Sequence, residues 1–201
     1  MLTAAKYKRN FLAQEVMTEL EKMLTGVLYR ADDPTLLAMR AKARVLFTRY
    51  NQTQNTDVMQ RAAILRGLLG AMGNTVDIQP PFYCDYGTNI YLGTNVFINY
   101  NCTILDCGRV EIGDNVFIAP SVSFYAAHHP VIASERIKGP ELGSPIIVEN
   151  NVWLGGGVIL CPGVRIGANS TIGAGSIVTR SVPTNVLAAG NPCRTIRSLP
   201  D

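Results

Sequence analysis

Residues 148–182 read VENNVWLGGGVILCPGVRIGANSTIGAGSIVTRSV, and their period decides the fold. Aliphatic residues stand at Val148, Leu154, Leu160, Ile166, Ile172 and Val178, every sixth position. Four places after each come Val152, Val158, Val164, Ser170, Ser176 and Val182, again every sixth. Gly155, Gly167 and Gly173 directly follow the aliphatic position. A short extended rung turns one face inward, and a turn must follow before the next rung. Small or β-branched residues pack that corner, while glycine and asparagine accept the turn's unusual dihedrals. Three rungs close one coil, and stacked coils share a continuous apolar interior, so the period predicts a coiled solenoid.

Outward from this stretch the same unit recurs. Leu92, Ile98 and Ile104 keep the spacing, a two-residue insertion follows, and Ile112, Ile118 and Phe124 resume it. Ahead of Pro80-Pro81 the pattern is different. Leu20, Met23, Leu24, Val27 and Leu28 follow one helical face, as do Leu36, Met39, Ala43, Leu46, Phe47 and Tyr50. Asp33-Pro34 sets a capping carboxylate before a proline at the first helical position. A third stripe, Val58, Ala62, Leu65, Leu69 and Met72, is started by Thr56 or Asp57 and closed by Gly73. The fold expected is mainly β: a parallel β-helix of hexapeptide repeats over residues 75–201 behind a helical segment over 1–74.

Composition sets outer bounds. With 201 residues, 47% of them apolar and 16% charged, the chain can bury one full domain and an appendage. A formal charge of +3 gives no case for nucleic acid, though a local anion site depends on where arginines cluster. The N-terminal MLTAAKYKRNFLAQEVM has no apolar run of signal-peptide length, and no stretch suits a membrane span. Five cysteines without a CxxC pair fit reduced thiols and a cytoplasmic location better than disulfides or a zinc site.

An inward-facing repeat is scaffold, so chemistry must come from where it breaks. Between Phe124 and Val148 the hexads give way to YAAHHPVIASERIKGPELGSPII, an extended loop over 125–147. Both histidines of the chain, His128 and His129, lie there. Either imidazole could serve as a general base near neutral pH, or the pair could simply be surface residues beside a proline. Asn99 and Asn101 in VFINYN are turn asparagines or oxyanion donors. Arg180, Arg194 and Arg197 are surface charges or partners for phosphates.

Together, the repeat, the His-Pro-Val loop, NVWLGGGVILCPGV, IGAGSIVTRSVP and AAGNPCRTIR resemble the maltose and galactoside O-acetyltransferases. GVLYRADDPTLLAMRAKARVLFTRYN is similar to the helical segment of the maltose type. The resemblance covers residue 18 to the end and implies a left-handed parallel β-helix, acetyl-CoA as co-substrate, no metal and a homotrimer. It makes His129 the base and Asn99 the oxyanion stabiliser, which would also touch the acceptor. Gly156, Ala174, Thr179, Arg180, Arg194, Arg197 and Trp153 match positions around acetyl-CoA. Asp85 and Asp106 lie where a sugar would be contacted, with Asp32 or Asp33 as a further acid. Here Asp85 replaces a serine of the galactoside enzymes, and Cys107 replaces an acid.

These residues imply acetyl transfer to a sugar hydroxyl, maltose- or glucose-like or a galactoside. Other acceptors on the same scaffold are a chloramphenicol-like antibiotic or serine, although the antibiotic enzymes generally lack the helical start. A zinc hydratase needs three dispersed histidines, where this chain has one adjacent pair. A non-enzymatic solenoid would show no saturable acetyl-CoA binding.

Overall fold

The computed structural model describes residues 17–200. Residues 1–16, including most of the basic N-terminal stretch, lie outside the described residues.

Three helices come first among the described residues. α1 (Glu19–Thr25) starts at a capping box in which Thr18 and Glu21 bond each other's backbone, and it stops at Gly26 in the left-handed region. The strand β1 (Tyr29–Arg30) follows, and then α2 (Pro34–Asn51). Asp33 caps α2 by accepting from Thr35 N at 2.9 Å and Leu36 N at 3.3 Å, with Pro34 at the first helical position as expected. α3 (Val58–Leu68) packs on α2 through Ala43, Tyr50, Ile64, Leu65 and Leu68.

Two helical expectations change. Gly26 ends α1 early, so Leu28 lies beyond the helix and faces solvent, and Leu24 within the helix is on its exposed side. The third stripe does not stay helical to Gly73. α3 stops at Leu68, and Ala71–Met72 pairs in parallel with Tyr91–Leu92 as the first rung of the solenoid. The switch occurs at Gly70, where a side-chain carbon would come within 2.3 Å of the Thr88 carbonyl of the next coil.

From there the chain winds through stacked coils. β2 (Ala71–Met72), β3 (Asp77–Ile78) and β4 (Phe82–Cys84) form the first. β5 (Ile90–Leu92), β6 (Phe97–Ile98) and β7 (Cys102–Leu105) form the second. β8 (Val110–Ile112), β9 (Phe117–Ile118) and β10 (Ser123–Tyr125) form the third. The loop then intervenes with β11 (Ala127–His128), α4 (Ala133–Arg136) and β12 (Pro140–Gly143). β13 (Ile146–Val148), β14 (Trp153–Leu154) and β15 (Ile159–Leu160) resume, followed by β16 (Arg165–Ile166), β17 (Thr171–Ile172) and β18 (Ile177–Val178). β19 (Val186–Ala189) and β20 (Arg194–Ser198) end the chain.

The rungs stack into three parallel sheets. The first face holds β2, β5, β8, β13 and β16; the second β3, β6, β9, β14, β17 and β19; the third β4, β7, β10, β15 and β18. Parallel register puts like residues above one another. On the second face the inward ladder is Ile78, Ile98, Ile118, Leu154, Ile172 and Ala188, all buried. Each isoleucine or leucine of this ladder contributes about 1.5–3 kcal/mol by leaving water. The hexad positions of the opening stretch are therefore the core, as their period predicted.

Corners obey their own chemistry. Between the first and second faces Asn95, Asn115, Asn151, Asn169 and Asn185 sit at positive φ. Their amides form a ladder, each Nδ2 donating to the next Oδ1 at 2.8–3.1 Å. Valine at position 151 would lose both ladder bonds, at about 1 kcal/mol each, and force a β-branched residue to φ 61°. Asn151→Val should thus destabilise the fold by about 2–4 kcal/mol, read as a lower urea midpoint; an unchanged midpoint would contradict this role.

Both ends of the solenoid are closed, which removes open sheet edges. At the N-terminal end Asn51 exchanges two 2.9 Å bonds with the Phe82 backbone, imitating a strand. Arg61 donates to the Ile78 carbonyl at 2.7 Å, and the Tyr50 hydroxyl donates to the same oxygen. At the other end β20 turns antiparallel onto β19. Ser170 and Ser176 replace valine near that end because their hydroxyls bond backbone there: Ser170 donates to Pro183 O at 2.8 Å, and Ser176 accepts from Gly190 N at 3.0 Å.

Candidate active site

The corner between the third and first faces is wider than the others. It holds residues 85–89 in the first coil, 106–109 in the second and 126–145 in the third, so the two-residue insertion read after Ile104 marks this corner. Register stacks Cys84, Ile104 and Phe124 at its entrance, which brings Asp85, Asp106 and the histidine loop to one edge of the molecule.

Asp106 is fully enclosed. Its Oδ1 accepts from Asp85 N at 3.0 Å and Tyr86 N at 2.8 Å, its Oδ2 from Asn89 N at 3.3 Å. Asn89 Nδ2 also donates to the Asp106 carbonyl at 2.8 Å. Asp106, expected to contact the sugar, accepts from three backbone amides and so holds the turn that carries Asp85. Burial pushes this carboxyl up to about 6, against the bonds from Tyr86 and Asn89 that pull it down. A folded value above the ordinary 3.8 means that stability is fully present below that value and is lost as pH rises toward 6. The melting-temperature advantage of the wild type over Asp106→Asn should therefore shrink between pH 4 and pH 7. A constant difference would contradict the burial of this charge.

Asp85 is half-buried, and burial raises its carboxyl above the usual range. The Cys107 thiol donates to its Oδ2 at 3.5 Å and, with the charges of Arg40 and Arg44, opposes that rise. The Glu141 charge adds to it. Arg40 itself donates to the Tyr86 hydroxyl at 2.7 Å and the Ala31 carbonyl at 2.5 Å. Of the two alternative acids, Asp33 is committed to its helix cap, and Asp32 is exposed and bonded to Arg30 at 3.0–3.1 Å. Cys107 and Cys84 are buried thiols pushed well above the ordinary thiol range by desolvation, so neither is an activated nucleophile.

The loop is built as a small sheet. β12 pairs antiparallel with β11 on one side and with β1 on the other. His128 is half-buried, with Nε2 2.8 Å from Ser144 Oγ. His129 is exposed, with Nδ1 3.4 Å from the Pro140 carbonyl. A carbonyl only accepts, so this contact favours a proton on Nδ1 and leaves the Nε2 lone pair to act as a base.

Asn99 occupies a different corner, between the second and third faces. Its Oδ1 accepts from Tyr100 N at 2.8 Å, which fixes the amide and leaves Nδ2 uncommitted among the described residues. The same corner carries Gly156 and Ala174 in later coils, tied by Gly175 N to Gly156 O at 2.8 Å. This edge is open: no atom lies within 4 Å of where a side chain would start at Gly157 or Gly175. Trp153 is 53% exposed on the second face, between Phe117 and Thr171 in register. Thr179 and Arg180 follow β18, and Arg194 and Arg197 lie on β20, all exposed.

Sequence reading did not single out Tyr29, Arg40 or Glu141. Tyr29 donates to Glu141 Oε2 at 2.8 Å across 112 positions of chain, a link no local pattern carries. Glu141 was within reach, since it lies inside the interruption. An open groove of about 500 Å³ on the outside of the first face contains none of the predicted site residues. Its arginines are already paired, Arg109 with Glu111 and Arg165 with Glu149. Among the described residues no group of three His, Cys, Asp or Glu could hold a metal, and no helix is long and apolar enough to cross a membrane.

A helix-capped hexapeptide solenoid with a histidine-bearing corner loop is the architecture of hexapeptide acetyltransferases, and the comparisons agree. The maltose acetyltransferase hexapeptide capping motif matches residues 22–73, and the bacterial transferase hexapeptide model, six repeats, matches 145–180. The galactoside O-acetyltransferase of Escherichia coli (strain K12) is 40% identical over 185 residues, 92% of this chain and 91% of its own length. A maltose O-acetyltransferase from Clostridium difficile 630 superposes with a TM-score of 0.91 at 46% identity, covering 92% of this chain and 99% of that one. A hexapeptide-repeat-containing acetyltransferase from Vibrio cholerae O1 biovar eltor, solved with acetyl coenzyme A, gives 0.86 at 40% identity, covering 92% and 100%. The chain belongs to the maltose and galactoside O-acetyltransferase family of hexapeptide-repeat acetyltransferases.

Proposed function

We propose that this protein transfers the acetyl group of acetyl-CoA to a hydroxyl of a sugar, maltose- or glucose-like or a galactoside, with His129 as general base. The observation that carries this reading is the loop itself. The repeat is broken to bring an exposed imidazole, its Nδ1 turned to a carbonyl, onto the corner that also presents Asp85. Family membership and the relative solved with acetyl coenzyme A support the donor.

In this mechanism Asp85 accepts hydrogen bonds from acceptor hydroxyls. Nε2 of His129 takes the proton of the reacting hydroxyl as its oxygen attacks the thioester carbonyl. Asn99 donates from Nδ2 to the developing oxyanion. Collapse breaks the carbon–sulfur bond, and His129 returns the proton to the departing thiolate. Pantetheine lies along Gly156 and Ala174 beside Trp153 and Thr179, and Arg180, Arg194 and Arg197 meet the phosphates.

Within one chain Asn99 and His129 belong to corners separated by the third face. A homotrimer that sets one copy's Asn99 corner against a neighbour's loop completes the site, and we include that assembly in the proposal. The five free cysteines suit a cytoplasmic location. Thiol release from acetyl-CoA, measured with maltose, glucose, galactosides, serine and chloramphenicol in turn, tests the acceptor. Saturable release with a sugar supports the reading; efficient release with serine or chloramphenicol alone overturns it.

A further inference from the structure

The loop is held more firmly than a base on a flexible tip requires, and its fastenings converge on one residue. His129 faces the Pro140 carbonyl at 3.4 Å, and Pro140 is the residue that Arg30 of β1 pairs with. One position along, Tyr29 pairs with Glu141, and its buried hydroxyl donates to Glu141 Oε2 at 2.8 Å. On the opposite edge, His128 pairs with Leu142, and its ring bonds Ser144 at 2.8 Å. His129 therefore emerges from a three-stranded sheet fastened by His128 to Ser144 on one side and, on the other, by Tyr29 to Glu141 and Arg30 to the Lys138 carbonyl at 2.6 Å.

We propose that His128 and Tyr29 are positioning residues for His129, acting through β11 and β12 to hold its imidazole against the Pro140 carbonyl. This rests on His129 being the base. His128 works before the reacting residue, since its bond to Ser144 fixes the direction in which the chain leaves β11. Tyr29 works behind it, since the hydroxyl bond to Glu141 secures β12, and with it the carbonyl that sets the proton on Nδ1. The helical segment is thereby part of the catalytic apparatus and not only a lid on the solenoid. A tautomer held by a carbonyl needs that carbonyl to stay in place, and displacement by about an ångström can cost on the order of a hundredfold in rate.

The test is a set of variants read by kcat and KM for both substrates. His128→Leu, Ser144→Ala and Tyr29→Phe each keep volume and remove one bond. Each should lower kcat by about ten- to a hundredfold while leaving KM for acetyl-CoA unchanged. His128→Gln, whose amide reaches the Nε2 position, should recover most of the lost rate. Added to His129→Ala, neither His128→Leu nor Tyr29→Phe should lower the residual rate further, because both act through the missing imidazole. Unchanged kcat in the single variants, losses that only track the folded fraction, or a further fall in the His129→Ala background overturn the proposal. Full activity in His129→Ala alone would instead overturn the assignment of the base.

Discussion

Replacing His129 by alanine lowers kcat by about 10²–10⁴-fold, the usual worth of a positioned general base. The side chain is exposed and, among the described residues, makes one 3.4 Å hydrogen-bonding contact, to the half-exposed Pro140, so its removal leaves no buried group unsatisfied. The fold and the affinity for acetyl-CoA should be those of the wild type, measured by thermal melting and by calorimetric titration with CoA. That separation is what a catalytic role requires. A variant that loses CoA binding together with activity would place His129 in the donor site, and one that keeps full activity would remove it from the mechanism.

The second large effect is at Asn99. Loss of one preorganised oxyanion donor typically costs about 10²–10³-fold in kcat. Asn99→Ala should show that loss with little change in either KM, because the donor acts when charge develops on oxygen. Asn99→Asp is the sharper variant. The backbone bond from Tyr100 can persist on one carboxylate oxygen, while the other presents negative charge to the oxyanion. Its kcat should fall below that of Asn99→Ala. Equal or higher activity in the aspartate variant would show that the amide is a turn device and nothing more.

How much of this was legible beforehand depends on the distance over which each feature is encoded. The hexads at Val148, Leu154 and Leu160 announce themselves because inward position repeats locally, and every one lies in the core. Asp33-Pro34 was readable as a cap for the same reason. Leu28 misled because the helical stripe read from the sequence runs past Gly26, where the backbone turns left-handed. Met72 fitted a helix and is a strand, since pairing with Leu92 overrides a four-residue pattern.

At the site the limit is similar. The interruption pointed to His128 and His129, but nothing local separated them; the family resemblance chose His129. The geometry adds that His128 is tied to Ser144 while His129 points outward. Asp106 and Asp85 looked equivalent as acids near the acceptor. Only the coil stacking shows that one carboxylate is consumed by three backbone amides and the other is left available. Tyr29 was invisible because its partner arrives from the far side of three coils.

One reaction tests the central claim most directly. Wild-type protein, acetyl-CoA and the sugar turned over fastest are followed together for free thiol, acetylated sugar and protein mass. Direct transfer by His129 predicts thiol and singly O-acetylated sugar in equal amounts, with the protein mass unchanged throughout. Thiol release without acetylated sugar, or an acetyl group left on the protein, would contradict it.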